Sequence, residues 1–188
     1  MKSEIFEKSS KCYHIDKFNE LSLNKLMNNS KEILNLSNYN LFRIQKLNCS
    51  HNNFIDLQGL SESETIIYVD CSKNRIKKLD NLPSNLIQLI CYSNKLTNLD
   101  NLPLSLEYLD CSDNKISYLD NLPNKLKILY CEKNNIITLD NLPNSLEKLF
   151  CGYNEINQLL NLPKKIKLVY CNTTEKISKH VEYINFHF

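Results

Sequence analysis

The stretch LDNLPSNLIQLICYSNKLTNL, Leu79–Leu99, recurs along this chain as a series of similar units. Cysteines recur about 20 residues apart, and the leucines, asparagines and prolines around them recur in step. A period of about 20 residues predicts a solenoid, in which each unit packs only against its neighbours. The repeating cysteines are Cys49, Cys71, Cys91, Cys111, Cys131, Cys151 and Cys171.

A short strand is predicted at each cysteine. In Leu89-Ile90-Cys91, buried and variable positions alternate, which is the period of a strand with one buried face. Stacked units would place these strands side by side in a parallel sheet. The third residue after each of these cysteines except Cys171 is an asparagine, whose amide can satisfy backbone groups in the bend. These asparagines are Asn52, Asn74, Asn94, Asn114, Asn134 and Asn154.

The pattern LxxLxCxxNxL at Leu86–Leu96 recurs in the next three units, and Leu-Pro follows each of them. It resembles the leucine-rich repeat family over roughly residues 44–172. The short unit with Leu-Pro is similar to the class in secreted effectors of pathogenic bacteria. The ladder cysteine is similar to that of repeat proteins from giant viruses and their amoebal hosts.

The resemblance implies an α/β-type solenoid shaped as a horseshoe or shallow arc, with a parallel β-sheet on its concave face. Because proline disfavours helix at the residue before it, the convex side should be extended or a single 3₁₀ turn. The family binds partners on the concave sheet, and the resemblance implies no reaction.

Both ends of the chain fall outside the repeat, so we divide it into three parts. Residues 1–33 are predicted to form a short, partly helical N-terminal cap, because four apolar residues stand at loosely helical spacing. They are Phe18, Leu21, Leu26 and Ile33. Residues 34–172 should hold about seven strands in register, preceded by a degenerate one at 34–36. Residues 173–188 should form a C-terminal cap.

Composition excludes several classes of protein. The net charge of +2 and the lack of a basic stripe argue against a nucleic-acid partner. No apolar run reaches the roughly 18 residues that a membrane span needs. The N-terminal MKSEIFEKSSKCYH has no apolar signal core, so we expect a cytoplasmic protein, in the host cytoplasm if it is viral.

We expect no enzymatic activity, cofactor or metal. The repeating cysteines should point inward as small buried hydrophobes, no histidine stands at a fixed offset from them, and no CxxC spacing occurs. A column of Asp80, Asp100, Asp120 and Asp140 either binds a cation or, more simply, caps its own turns.

Aromatic residues concentrate at positions that alternate with the buried ones and so face solvent on the concave side. Exposed aromatic surface of this kind marks interaction sites, although the column could also only stack on itself across the strands. The residues that we expect to contact a partner are Tyr68, Asp70, Tyr92, Tyr108, Asp110, Tyr130, Phe150, Tyr153 and Tyr170.

The sequence therefore predicts a non-catalytic, monomeric module that binds a partner protein on its concave face, as an adaptor or a host-directed effector. The alternative is a structural or scaffold component that self-associates or packs into a larger assembly.

Overall fold

The repeat forms one long β-sheet. The structure is a computed structural model that describes residues 5–8, 11–15, 19–23, 32–37, 41–172 and 183–186, with side chains in 19–23, 33–37 and 41–172. The strands are β1 (Ile5–Lys8), β2 (Lys11–Ile15), β3 (Glu20–Ser22), β4 (Glu32–Asn35), β5 (Lys46–Asn48), β6 (Phe54–Gln58), β7 (Tyr68–Asp70), β8 (Gln88–Ile90), β9 (Tyr108–Asp110), β10 (Ile128–Tyr130), β11 (Lys148–Phe150), β12 (Leu168–Cys171) and β13 (Tyr183–Phe186).

The order in the main sheet is β1-β2-β3-β5-β7-β8-β9-β10-β11-β12-β13. From β3 to β13 all neighbours are parallel, whereas β1 and β2 are antiparallel to each other and β2 to β3. Equivalent repeat positions lie side by side, as Leu89 beside Leu109 and Leu129 beside Leu149. The seven strands in register that the repeat predicts, β5 and β7–β12, are therefore confirmed.

The core is a stack of identical layers. In the coil around Cys91, the side chains of Leu86, Leu89, Cys91 and Leu96 are 0% exposed. Burying one leucine contributes on the order of 2 kcal/mol. A coil gains this stabilisation only when neighbouring coils cover its apolar side chains. All seven repeating cysteines are buried and free, which confirms the predicted cysteine ladder.

The asparagine of each coil ties that coil to the preceding one. The amide Nδ2 of Asn114 donates to the carbonyl oxygens of Cys111 (3.0 Å) and Ser112 (3.1 Å) in its own coil and of Cys91 (3.1 Å) in the coil before. Its Oδ1 accepts from the backbone N–H of Leu96 at 3.0 Å. The same pattern recurs at Asn74, Asn94, Asn134 and Asn154.

The convex side consists of turns and extended chain, and no helix occurs in the part of the chain that the structure describes. The α-helical element of the predicted α/β-type class is thus absent there. Each Leu-Pro is followed by one turn, closed by a bond such as that from the N–H of Leu86 to the oxygen of Pro83 (3.2 Å). Asn81, before the proline, has φ 65°, a left-handed conformation that asparagine tolerates well.

The predicted N-terminal helix is wrong where residues 1–33 are described. Glu20–Ser22 is strand β3, which pairs with β5 so that Leu21 lies beside Leu47. Leu21 and Leu23 are buried, and Leu23 takes the ladder position that cysteine holds in later coils. The parallel edge of β5 offers this segment backbone partners, and that pairing overrides its helical spacing. Phe18 and Leu26, on which the helix also depended, lie outside the described residues.

A second, smaller sheet lies outside the main one. Leu34 belongs to strand β4, which pairs in parallel with β6, so the degenerate strand predicted at 34–36 is a strand but does not join the concave sheet. At the end of β6, Gly59 has φ 77°, and a Cβ there would lie 2.6 Å from the carbonyl carbon of Leu36. Only glycine fits this crossing.

Beyond the repeat, Tyr183–Phe186 extends the main sheet as β13, parallel to β12. The remainder of the predicted C-terminal cap lies outside the described residues. In the described part of the chain, nothing forms a helix with the length and apolar character that crossing a bilayer requires.

Candidate functional site

The concave face presents the side chains that alternate with the core. In β10 the central Leu129 is buried, while Ile128 and Tyr130 on either side are half-buried, and the other strands repeat this pattern. The positions just before and just after each ladder cysteine form two adjacent columns, which we call the inner columns. In the first are Asn48, Asp70, Ile90, Asp110, Tyr130, Phe150 and Tyr170, and in the second are Ser50, Ser72, Tyr92, Ser112, Glu132, Gly152 and Asn172.

Four of the predicted site residues come together as a continuous row of rings, which we call the aromatic row: Tyr108, Tyr130, Phe150 and Tyr170. The rings of Tyr130 and Phe150 are stacked, with centroids 4.1 Å apart and planes 4° from parallel. Tyr108 lies 5.7 Å from Tyr130, and Tyr170 lies 6.1 Å from Phe150, both tilted. The parallel register places Tyr130, Phe150 and Tyr170 side by side in one column, and Tyr108, whose register partner is Ile128, reaches Tyr130 diagonally.

Carboxylates near the row affect its tyrosines. Partial burial is the main cause that raises the pKa of Tyr108 to about 12, and electrostatic interactions with Tyr130 and Asp110 raise it further. Partial burial also raises the pKa of Tyr130, with the negative charges of Asp110 and Glu132 as further causes. Each hydroxyl therefore stays protonated near neutral pH and can donate a hydrogen bond to a ligand.

Two predicted contact residues, Asp70 and Asp110, are engaged within their own turns. The carboxylate of Asp70 accepts from the N–H (2.9 Å) and hydroxyl (2.6 Å) of Ser72, and that of Asp110 accepts from the N–H of Ser112 (3.1 Å). Burial raises the pKa of Asp110, an effect that the bonds from Ser112 partly oppose. Both side chains therefore stabilise the bend of their own coil.

The other predicted residues lie apart from the aromatic row. Tyr68 is half-buried on β7, and the pKa of its hydroxyl is raised by partial burial and by the charges of Asp70 and Glu20. Tyr92 and Tyr153 each lie under a lysine: the Nζ of Lys73 is 5.7 Å from the ring centre of Tyr92, and that of Lys133 is 5.8 Å from Tyr153. Cations thus already sit over tyrosine rings at the margin of this face.

Sequence reasoning did not single out the group around Gly152, beside the aromatic row. A Cβ on this glycine would lie 2.8 Å from Oδ1 of Asn172, 3.4 Å from Oε1 of Glu132 and 3.6 Å from the Tyr170 ring. Two side-chain oxygens and a ring therefore approach Gly152, and Oδ1 of Asn172 accepts a hydrogen bond from the backbone N–H of Tyr153. A glycine two residues beyond a strand, in a chain with only two glycines, is the sequence signal that marks a close approach of this kind.

The seven ladder cysteines, whose side chains the structure describes, offer no reactive thiol. Burial raises the pKa of Cys91, Cys111 and Cys131, and the thiols of Cys91 and Cys111 donate to backbone oxygens of the next coil at 3.3 Å. A protonated, enclosed thiol is neither a nucleophile nor a metal ligand. Among the residues that the structure describes, no three His, Cys, Asp or Glu side chains are grouped so that they could hold a metal ion.

In the aspartate column on the convex edge, Asp80 and Asp120 accept from the following coil, and Asp140 accepts from Thr138 of its own coil. Asn101 donates to Asp80 at 3.0 Å and Asn141 donates to Asp120 at 3.2 Å, which offsets repulsion between the stacked carboxylates. A cleft of about 300 Å³ near Leu36, Phe42 and Gly59 shares no residue with the aromatic row.

No protein-family model matches this chain, and no curated protein matches it either. Solved structures do. The Shigella effector leucine-rich repeat domain is 27% identical with a TM-score of 0.67, over 86% of this chain and 71% of that one. YopM from Yersinia enterocolitica is 29% identical with a TM-score of 0.60, over 77% of this chain and 38% of YopM.

The chain therefore spans well under two thirds of the YopM chain. The functional domain of InlJ from Listeria monocytogenes, which includes a cysteine ladder, is 24% identical with a TM-score of 0.50, over 82% of this chain and 46% of that one. This likeness concerns the fold alone. The predicted resemblance is confirmed: the chain has the leucine-rich repeat fold, with cysteines in its ladder.

Proposed function

We propose that this protein is a non-catalytic module that binds a partner protein on its concave face, as an adaptor or a host-directed effector. The observation that carries the proposal is the aromatic row, four rings in contact on a half-buried, solvent-facing surface. Aromatic side chains are enriched at protein interfaces, because they bury a large area at low cost in conformational entropy. The stacking within the row preorganises this surface rather than competing with binding.

Further support comes from the scaffold. Neighbouring structures of this fold include effector domains, and rigid strands hold the rings in fixed positions. We propose the cytoplasm as its compartment, because seven buried cysteines that form no disulfide suit a reducing environment.

The test is affinity capture from cytosolic extract with a Tyr130→Ser/Phe150→Ser double variant. We expect the captured partner to fall about tenfold or more, since central aromatic residues each contribute roughly 2 kcal/mol at an interface. The control is Phe42→Ser/Tyr118→Ser, which removes the same two residue types from exposed positions away from the row. Undiminished capture by a folded Tyr130/Phe150 variant contradicts the proposal.

The scaffold alternative has one observation in its favour. The main sheet is open, with β1 and β13 as its outermost described strands. Sheet edges of this kind can pair with another chain. Oligomeric state separates the two proposals, and we return to it below.

A further inference from the structure

The chain leaves the concave sheet after each ladder asparagine and runs along one flank of the solenoid. We call the part of this flank in three successive coils the donor flank, and it comprises 75–78, 95–98 and 115–118. The second residue of each segment belongs to the core and is 0% exposed: Ile76, Leu96 and Ile116. The other nine side chains of the donor flank are exposed or half-buried and face away from the core.

All nine of these side chains can donate a hydrogen bond, and none of them is an acid. Five are cations and four are neutral donors: Arg75, Lys77, Lys78, Lys95 and Lys115, with Thr97, Asn98, Ser117 and Tyr118. Among the residues that the structure describes, no acid pairs with any of the five cations. The opposite flank, along which the chain returns to the sheet, differs because its lysines pair with glutamates one coil away: Lys127 with Glu107 and Lys167 with Glu147.

The register of the coils brings like charges together on the donor flank. The N–H of Lys95 donates to the oxygen of Ile76 at 2.9 Å, and the N–H of Lys115 donates to that of Leu96 at 2.8 Å. These bonds place Arg75, Lys95 and Lys115 at the same position of adjacent coils, on the order of 5 Å apart. Like charges at directly neighbouring positions repel and destabilise the fold. A ligand with several negative charges would offset this repulsion.

The charges that border the donor flank limit the size of such a ligand. The convex edge beside it and the neighbouring coils beyond its ends are acidic, whereas the corner toward the concave face is mixed. These charges are Asp80, Asp100 and Asp120 on the edge, Asp56 one coil before and Glu155 two coils beyond, and Lys73, Asp113 and Lys133 at the corner. A long nucleic acid or an anionic bilayer would also cover the acidic edge, which would repel it. A compact ligand fits within the flank without covering that edge.

We propose that the donor flank binds a compact, soluble ligand that carries several phosphate groups, of the size of an inositol polyphosphate. Four of the five cations are lysines, whose ammonium groups bind phosphate as compact point charges. The hydroxyls of Thr97 and Ser117 and the amide of Asn98 supply further donors of the kind that contact phosphate oxygens. This site shares no residue with the aromatic row, so the inference does not rest on the proposed function.

The probe is inositol hexakisphosphate, titrated into the full chain by calorimetry at physiological ionic strength. We expect one saturable site whose affinity falls as salt is added, because counterions compete for the same charges. In Lys95→Gln/Lys115→Gln the affinity should fall about tenfold or more, since two charge-assisted hydrogen bonds are lost.

The matched control is Lys127→Gln/Lys167→Gln. It removes the same charge from the opposite flank, where both lysines are already paired, and should change the affinity less than about twofold. Circular dichroism and thermal unfolding verify that both variants are folded. Lys95→Gln/Lys115→Gln should be at least as stable as the wild type, because it removes like charges from adjacent coils.

The absence of saturable binding to the wild type overturns this inference. Equal losses of affinity in the two double variants also overturn it, because attraction to net charge alone does not distinguish the flanks. Tighter binding to a uridine oligonucleotide, or to vesicles that contain a polyphosphorylated phosphoinositide, contradicts a compact, soluble ligand. Tyr130→Ser/Phe150→Ser should bind the probe as the wild type does, so loss of the phosphate site leaves concave-face binding unaffected.

Discussion

At the scale of single residues, each ladder asparagine from Asn74 to Asn154 bonds its coil to the coil before it. The Nδ2 of Asn134 donates to the carbonyl oxygens of Cys131, Glu132 and Cys111, each at 3.1 Å, and its Oδ1 accepts from the N–H of Ile116 at 3.0 Å. Asn134 is itself buried, so water cannot replace these bonds.

We predict that Asn134→Ala lowers the free energy of unfolding by about 3 kcal/mol or more, since several buried backbone groups lose their partner at once. The control is Asn135→Ala at the exposed adjacent position, which should change stability by less than about 0.5 kcal/mol. Urea unfolding followed by circular dichroism measures both. Equal effects of the two variants would show that the ladder bonds contribute little.

The ladder cysteines lead to a prediction about pH. Burial raises the pKa of Cys111 in the folded protein above its ordinary value of 9.0. Below pH 9 both folded and unfolded states keep the proton, so the thiol has no pH-dependent effect. Above it the unfolded chain releases the proton and the folded chain does not, so stability falls as pH rises, by about 1 kcal/mol per pH unit for each such thiol.

We therefore predict that the free energy of unfolding falls steeply above pH 9. In Cys111→Ala the fall should be less steep, because unfolding releases one thiol proton fewer. Ser112→Ala, the neighbouring variant without a thiol change, should keep the wild-type slope. Unfolding midpoints across an alkaline pH series provide the measurement. A Cys111→Ala slope equal to that of wild type would mean that this thiol is accessible in the folded state, and the assigned concave face would then be wrong.

At the scale of elements, the crossing of β4 and β6 depends on one glycine. We predict that Gly59→Ala destabilises the protein by about 2 kcal/mol, because the methyl group meets backbone of Leu36 and Ser37 and the positive φ disfavours any side chain. Gly152→Ala is the natural comparison. Its methyl group meets the movable end of Asn172, so we expect a cost below about 1 kcal/mol. Thermal unfolding of the two variants should rank them in this order.

The elements show how far sequence reasoning reaches. Strands β5 and β7–β12 could all be placed, because identical units stacked in register leave one arrangement, whereas β6 of the second sheet was not predicted. The first coil was missed, although Leu21-Ser22-Leu23 has the same alternation as later strands. The convex segment that separates this coil from the next one is longer than in the later coils. Leu21 stands 26 residues before its register partner Leu47, so the period near 20 is broken.

For the candidate site, alternation alone placed Tyr130, Phe150 and Tyr170 in one column, since neighbouring parallel strands leave no other arrangement. Two things could not be read from the sequence. Whether Asp70 and Asp110 face a partner or bond to Ser72 and Ser112 depends on the local backbone angles. The approach of Glu132 and Asn172 over Gly152 depends on side-chain rotamers across three coils.

At the scale of the whole molecule, the outer side argues for a monomer. Beside the strands, Glu107 pairs with Lys127 at 2.7 Å and Glu147 with Lys167 at 3.1 Å. These ion pairs are exposed and add little stability, yet they keep this side hydrated and unsuited to a dry interface.

We accordingly predict a single species of 22.0 kDa in sedimentation equilibrium, unchanged across the concentrations used for capture. The adaptor or effector proposal needs a monomer whose concave face is open to another protein. A concentration-dependent rise in mass would favour the scaffold alternative, in which the sheet edges join copies of the chain.

The one-way direction of the asparagine bonds has a consequence for synthesis. The backbone N–H groups of Phe54, Ile76 and Leu96 donate to the Oδ1 atoms of Asn74, Asn94 and Asn114, respectively. The hydrogen bonds of each of these coils are therefore completed by a residue about 20 positions further on. During synthesis on the ribosome, the asparagine of each newly emerged coil would bond the preceding coil, while the new coil would still lack the asparagine that follows it. Only the most recently synthesised coil would therefore lack its asparagine bonds at any moment, however long the array.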